Sequence, residues 1–70
     1  MYIIIELQVY ADGNVGNIVT TANSYNEAMS AYHTVLAAAA VSTVTKHSCT
    51  VLTSTGALVC NECYTHGAAE

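Results

Sequence analysis

Cys60-Asn61-Glu62-Cys63 has the spacing of a metal-binding or redox pair, and His66 follows three residues later. His47 and Cys49 add two more donors of the kinds that zinc accepts. Such a site needs its ligands to converge. Residues three apart in an extended strand point to opposite faces, so Cys60 and Cys63 diverge unless a knuckle turn brings them together. The glycine usual in such a turn is missing, and there is no second C-x-x-C. A redox pair belongs at the start of a helix, where the dipole lowers a thiol pKa, and nothing after Cys63 has a helical pattern. The cysteines therefore read as small buried hydrophobes, and no metal or cofactor is expected.

His47 and Cys49 would share a strand face, as a base and a nucleophile must, but the sequence offers no third orienting group and no oxyanion site. His33 lies at the edge of an apolar helical stripe and reads as a boundary histidine. No catalytic residue is assigned, and an enzyme is not expected. The remaining chemistry-bearing stretch is the hydroxyl-rich run from Ser42 to Ser48, which holds Lys46, the chain's single Lys or Arg, beside His47. In one chain this reads most simply as a solvated connector. Duplicated across an oligomer, Ser42, Thr43, Thr45, Lys46 and His47 would supply donors to a compact anion such as a nucleotide, with Tyr32 or Tyr2 stacking on a base.

These residues must be carried by a chain of only 70 amino acids, enough for one domain with a small core. A domain of this size buries about 60% of its unfolded surface, so self-association would add stability it otherwise lacks. Hydrophobic residues make up 53% and charged residues 9%, against roughly 25% charged in ordinary soluble domains. The net charge is −4, which excludes a DNA- or RNA-binding role and disfavours an anionic membrane surface. No basic leader or membrane-length apolar run is present, and three cysteines do not make a disulfide framework. The expected setting is the cytoplasm.

The elements follow from local pattern. "YIIIELQVY" alternates Ile3, Ile5, Leu7 and Val9 onto one face, with Tyr2, Ile4, Glu6, Gln8 and Tyr10 on the other. Asp12-Gly13 marks a hairpin turn into "VGNIVTTA". A two-residue loop would set Tyr10 opposite Val15; a three-residue loop would slip the register by one. Ser24 and Glu27 have capping-box spacing and open a helix whose stripe of Tyr25, Ala28, Met29, Tyr32, Val35, Leu36 and Ala39 should cover the Ile3, Ile5, Leu7 and Val9 face. Tyr2, Ile4 and Tyr10 would then face outward. The far side of the helix holds Ser30, Thr34, Ala37, Ala38 and Val41. Either alanine is there as the best helix former, or these small residues are an oligomer interface. "KHSCTVLTSTGALVCNECY" reads as a second hairpin turning at Ser54-Thr55-Gly56.

The predicted fold is thus α+β: a ββαββ two-layer sandwich with one helix on a four-stranded antiparallel sheet, oligomeric. Residues 1–64 form the domain and 65–70 a frayed tail. The segments "MYIIIELQ", "ADGNVGNIV", "NEAMSAYHTVLAAAAVS" and "GALVCNECYTH" resemble a group of short proteins from phages and prophages of Firmicutes, with residues 32–42 the most distinctive portion. The resemblance implies a non-enzymatic protein that acts by binding. Three roles fit: sequestering a nucleotide signal of host immunity, inhibiting a host protein stoichiometrically, or serving as a minor virion or assembly component. The leading expectation is an oligomeric anti-defence protein that binds a small anion, with itself, a nucleotide-like ligand or a host protein as partner.

Overall fold

The computed structural model describes residues 1–66. Its elements are β1 (Tyr2–Val9), β2 (Val15–Ala22), α1 (Tyr25–Ala40), β3 (Lys46–Thr53) and β4 (Leu58–Thr65). The four strands form one antiparallel sheet in the order β2-β1-β3-β4. This is the ββαββ arrangement expected from the sequence. Both hairpins place their inner strands, β1 and β3, side by side, so β2 and β4 are the edges.

The two hairpins turn with the same chemistry. Tyr10 donates its N–H to the Asn14 carbonyl at 2.9 Å, and Gly13 donates to the Tyr10 carbonyl at 2.9 Å. Gly13 has φ +90°, the left-handed conformation that follows a type I turn in a three-residue loop. The register is therefore the slipped one, with Val9 opposite Val15 and Ile5 opposite Val19. Asp12 fixes the loop by accepting from the Asn14 N–H at 3.0 Å and side-chain amide at 2.9 Å. In the second hairpin Gly56, at φ +89°, donates to the Thr53 carbonyl at 2.9 Å, and Thr53 donates to the Ala57 carbonyl at 2.8 Å. Beyond it Leu52 pairs with Leu58 but Val51 pairs with Cys60, so Val59 is an extra residue that bulges β4.

Ser24 caps α1 as its spacing implies, its hydroxyl accepting from the Glu27 N–H at 3.2 Å. The other end is tied down by His66, which follows β4. The His66 ring nitrogen Nε2 lies 2.8 Å from the carbonyl of Ala39, in the last turn of α1, and its backbone N–H donates to Thr45 at 2.7 Å. A ring N–H donated there satisfies a helix-end carbonyl. Of the expected tail, Thr65 belongs to β4 and His66 is docked; residues 67–70 lie outside the described residues.

The larger correction concerns which face of the sheet α1 covers. Ile4, Cys49 and Val51 are buried with Ala22, Ala28 and Tyr32 in one core, against which Tyr2, Val59 and Cys60 pack. Strand alternation therefore puts the Tyr2, Ile4 and Glu6 side of β1 under the helix and turns Ile3, Ile5, Leu7 and Val9 to the opposite face. The deciding partner is β3. Covering the Ile3 side would have placed Lys46, Ser48 and Thr50 under the helix. The observed choice buries Val51, Cys49 and His47 instead, and leaves Lys46 exposed. Two further expectations change with it. Ile4 is 3% exposed, so it is not available on an outer face. Tyr25, placed in the core stripe, is 53% exposed, with its ring edge-on to Tyr2 at 6.1 Å. Ser30, Thr34, Ala37, Ala38 and Val41 are all exposed, as the far side of the helix should be.

Candidate functional site

Three groups of residues bear on function: a polar cluster under the helix, the hydroxyl-rich connector, and the uncovered sheet face.

In the cluster, His47 is 3% exposed and its Nε2 lies 2.6 Å from Oε2 of Glu6. The carboxylate accepts, so Nε2 carries the proton and donates it. The Gln8 amide donates to the same oxygen at 3.5 Å, and the Tyr10 hydroxyl donates to Gln8 Oε1 at 2.6 Å. Among the described residues, Nδ1 of His47 is buried with no hydrogen-bond partner. Glu6 is thus the orienting group for His47 that linear reading missed. The two residues are 41 apart in the chain, and only the pairing of Glu6 with Cys49 and Gln8 with His47 reveals the contact.

An oriented histidine two residues from a cysteine has the outline of a catalytic pair, yet Cys49 is unsuited to nucleophilic work. It has no exposed surface. Burial, with the Glu6 carboxylate beside it, pushes its thiol from 9.0 up to about 11. It therefore stays protonated in the fold at neutral pH. This has a consequence for stability. The unfolded thiol ionises near pH 9 while the folded one does not, so the unfolded state gains as pH rises from about 9 towards 11. Stability should be flat below pH 9 and fall above it by up to about 2 kcal/mol from this group. Urea midpoints measured from pH 7 to 10.5 should show the decline, and Cys49→Ala should show a smaller one. An equal decline in both proteins would remove Cys49 as its source.

Cys60 and Cys63 lie on opposite sheet faces, as an extended strand requires: Cys60 pairs with Val51 on the helix side, and Cys63 pairs with Ser48 on the other. Among the described residues, no group of three or more His, Cys, Asp or Glu is gathered as metal ligands would be.

The connector's residues do not converge within one chain. Lys46 and His47 are adjacent in β3, so their side chains leave on opposite faces, Lys46 exposed and His47 buried. Tyr32, expected to stack on a base, is 7% exposed and part of the core. Contrary to expectation, both Tyr32 and His47 are interior side chains rather than surface groups. Tyr2 is half-buried and packs on Tyr25. Ser42 folds its hydroxyl back to accept from the Val44 N–H at 3.1 Å, a turn-forming bond. Thr43 and Lys46 are exposed and Thr45 half-buried.

The third group is the most extensive. Opposite the helix, β1 presents Ile3, Ile5, Leu7 and Val9 in a row. The register sets Thr21, Val19, Asn17 and Val15 on one side of it, and Leu52, Thr50, Ser48 and Lys46 on the other. Val15 and Val19 are each 59% exposed, and Leu58, beside Leu52, is 62% exposed. No described element lies over this face. Its one charged residue, Lys46, is at the end of the sheet, and Glu6 and Glu62 belong to the helix side.

No family model, no curated protein and no solved structure matches this chain. What fold and surface define is a class: an α+β protein with a helix on one side of its sheet and an aliphatic face on the other. No described helix is long and apolar enough to cross a membrane.

Proposed function

We propose that this is a small, non-enzymatic binding protein of phage type that acts by associating with protein, and that the uncovered sheet face is its working surface. One observation carries the reading: Ile3, Ile5, Leu7 and Val9 lie on the side that α1 leaves open. A contiguous apolar patch facing water is the usual mark of an interaction surface. The chemistry of the face favours protein over a small anion. Aliphatic side chains interleaved with Thr, Ser and Asn suit the centre of a protein interface, where charge is depleted. The anion reading is left with Lys46 and a few connector hydroxyls, because His47 and Tyr32 are interior. The phage setting rests on the sequence resemblance.

The test is a photo-crosslinking amino acid placed at Thr50, at the middle of the face, and separately at Thr34 on the outer side of α1. Irradiation of cells expressing the protein should join Thr50 to a protein and leave Thr34 unreacted. Adducts from Thr34 alone would overturn the assignment.

A further inference from the structure

We propose that the occupant of the open sheet face is a second copy of this chain, the two sheets packing face to face into a four-layer α/β/β/α dimer. This rests on the reading of that face as the working surface and adds its partner.

The first argument is the distribution of bulk. Beneath the helix, Ile4 and Tyr32 are the large buried side chains; the residues with no exposed surface are only Val51, Cys49, Ala28 and Ala39. The aliphatic residues that would make a stronger core, Ile3, Ile5, Leu7 and Leu52, are on the other side of the sheet. Each chain therefore carries half of a second core, and a copy supplies the other half.

Area is the second. Four strands of eight residues at ~3.3 Å per residue and ~4.8 Å between strands give a footprint of ~500 Å² per copy. Two copies together reach ~1,000 Å², the lower bound for a biological interface, before the relief of the side chains is counted.

Shape and charge are the third. The row of Ile3, Ile5, Leu7 and Val9 is a ridge, and Ser48 and Thr50 beside it form a shallower row. A two-fold axis lays the ridge of one copy into the trough of the other, the self-complementarity that an isologous interface needs. Glu6, Asp12, Glu27 and Glu62 all lie off the face, so among the described residues no carboxylates oppose one another there. A lipid surface lacks this match, since the face has no rim of cations to engage headgroups.

Sedimentation velocity of the wild-type protein should give a dimer. Leu7→Lys, which places a charge in the ridge, should give a monomer with unchanged far-UV circular dichroism, and Ala38→Lys on the outer side of α1 should stay dimeric. If Leu7→Lys fails to fold, mixed isotope labelling of the wild type decides: intermolecular NOEs between the methyls of Ile5 or Leu7 and a second chain are expected. A dimer split by Ala38→Lys but not by Leu7→Lys overturns the proposal. So does a wild-type monomer. If that monomer is still captured by another protein through Thr50, only the self-pairing fails; with no capture at Thr50, the working-surface reading fails as well.

Discussion

Tyr32→Ala is expected to leave the protein largely unfolded at room temperature, while Tyr32→Phe folds. Tyr32 is 7% exposed, and the other buried residues of α1 are Ala28 and Ala39. The aromatic ring is therefore the one large side chain that the helix buries in the sheet. Met29, Val35 and Leu36 only flank it, half-buried. Truncating a buried aromatic residue costs about 3–5 kcal/mol. A chain of this length has a total stability of roughly 3–10 kcal/mol, so the loss consumes much or all of it. Phenylalanine keeps the ring and removes the hydroxyl, which burial and the neighbouring Cys60 hold above its usual pKa. The hydroxyl's removal should cost about 1 kcal/mol. Urea denaturation followed by circular dichroism at one fixed protein concentration would read both effects, since association shifts apparent stability by mass action. A Tyr32→Ala protein with an unshifted midpoint would show that the ring is not an anchor, and would restore it as a ligand contact.

That contrast shows where local pattern carries information and where it stops. The strands, the Ser24 cap and the Ser54-Thr55-Gly56 turn were legible because each depends on residues a few positions apart. The first hairpin was legible down to two registers, and Gly13 with Asn14 decides between them through the three-residue loop. The face beneath the helix was not legible from β1, because both of its sides are apolar: Ile3, Ile5 and Leu7 on one, Tyr2 and Ile4 on the other. Choosing between them requires β3 as its neighbour, a contact between segments some forty residues apart. The same dependence hid the bond between Glu6 and His47. It also bears on the connector. Lys46 and His47 are adjacent in the chain, and adjacency along a strand separates their side chains. The surface that the fold leaves open is assembled instead from alternate residues of β1, β2 and β3.

Glu6→Ala is expected to cost about 3 kcal/mol, the lower end of the range for breaking a buried pair. The lower end applies because the Glu6 side chain is 18% exposed, against 4% for His47. Its removal takes the 2.6 Å partner from Nε2 of an imidazole whose Nδ1 already has no partner among the described residues. Nδ1 would stay unsatisfied and Nε2 would keep only the Gln8 amide at 3.4 Å, and an under-satisfied buried group is the expensive half of any hydrogen-bond deletion. Glu6→Gln keeps an acceptor and should lose less. Replacing both residues, as Glu6→Leu with His47→Leu, removes the demand together with the supply and should recover most of the stability. Urea denaturation of the wild type, both single leucine variants and the double variant closes a cycle; a coupling near zero would show that the two side chains do not act as a pair. The double variant also bears on why the pair is there. Glu6 and His47 mark one face of the sheet with a hydrogen-bonded polar pair on the helix side, while Lys46 marks the other with an exposed charge. Without the pair, Gln8 is the one strongly polar residue left on the helix side of β1, and the sheet presents two largely apolar surfaces to a single helix. The double variant is then expected to fold more stably but less uniquely, with broadened amide resonances in β1 and β3.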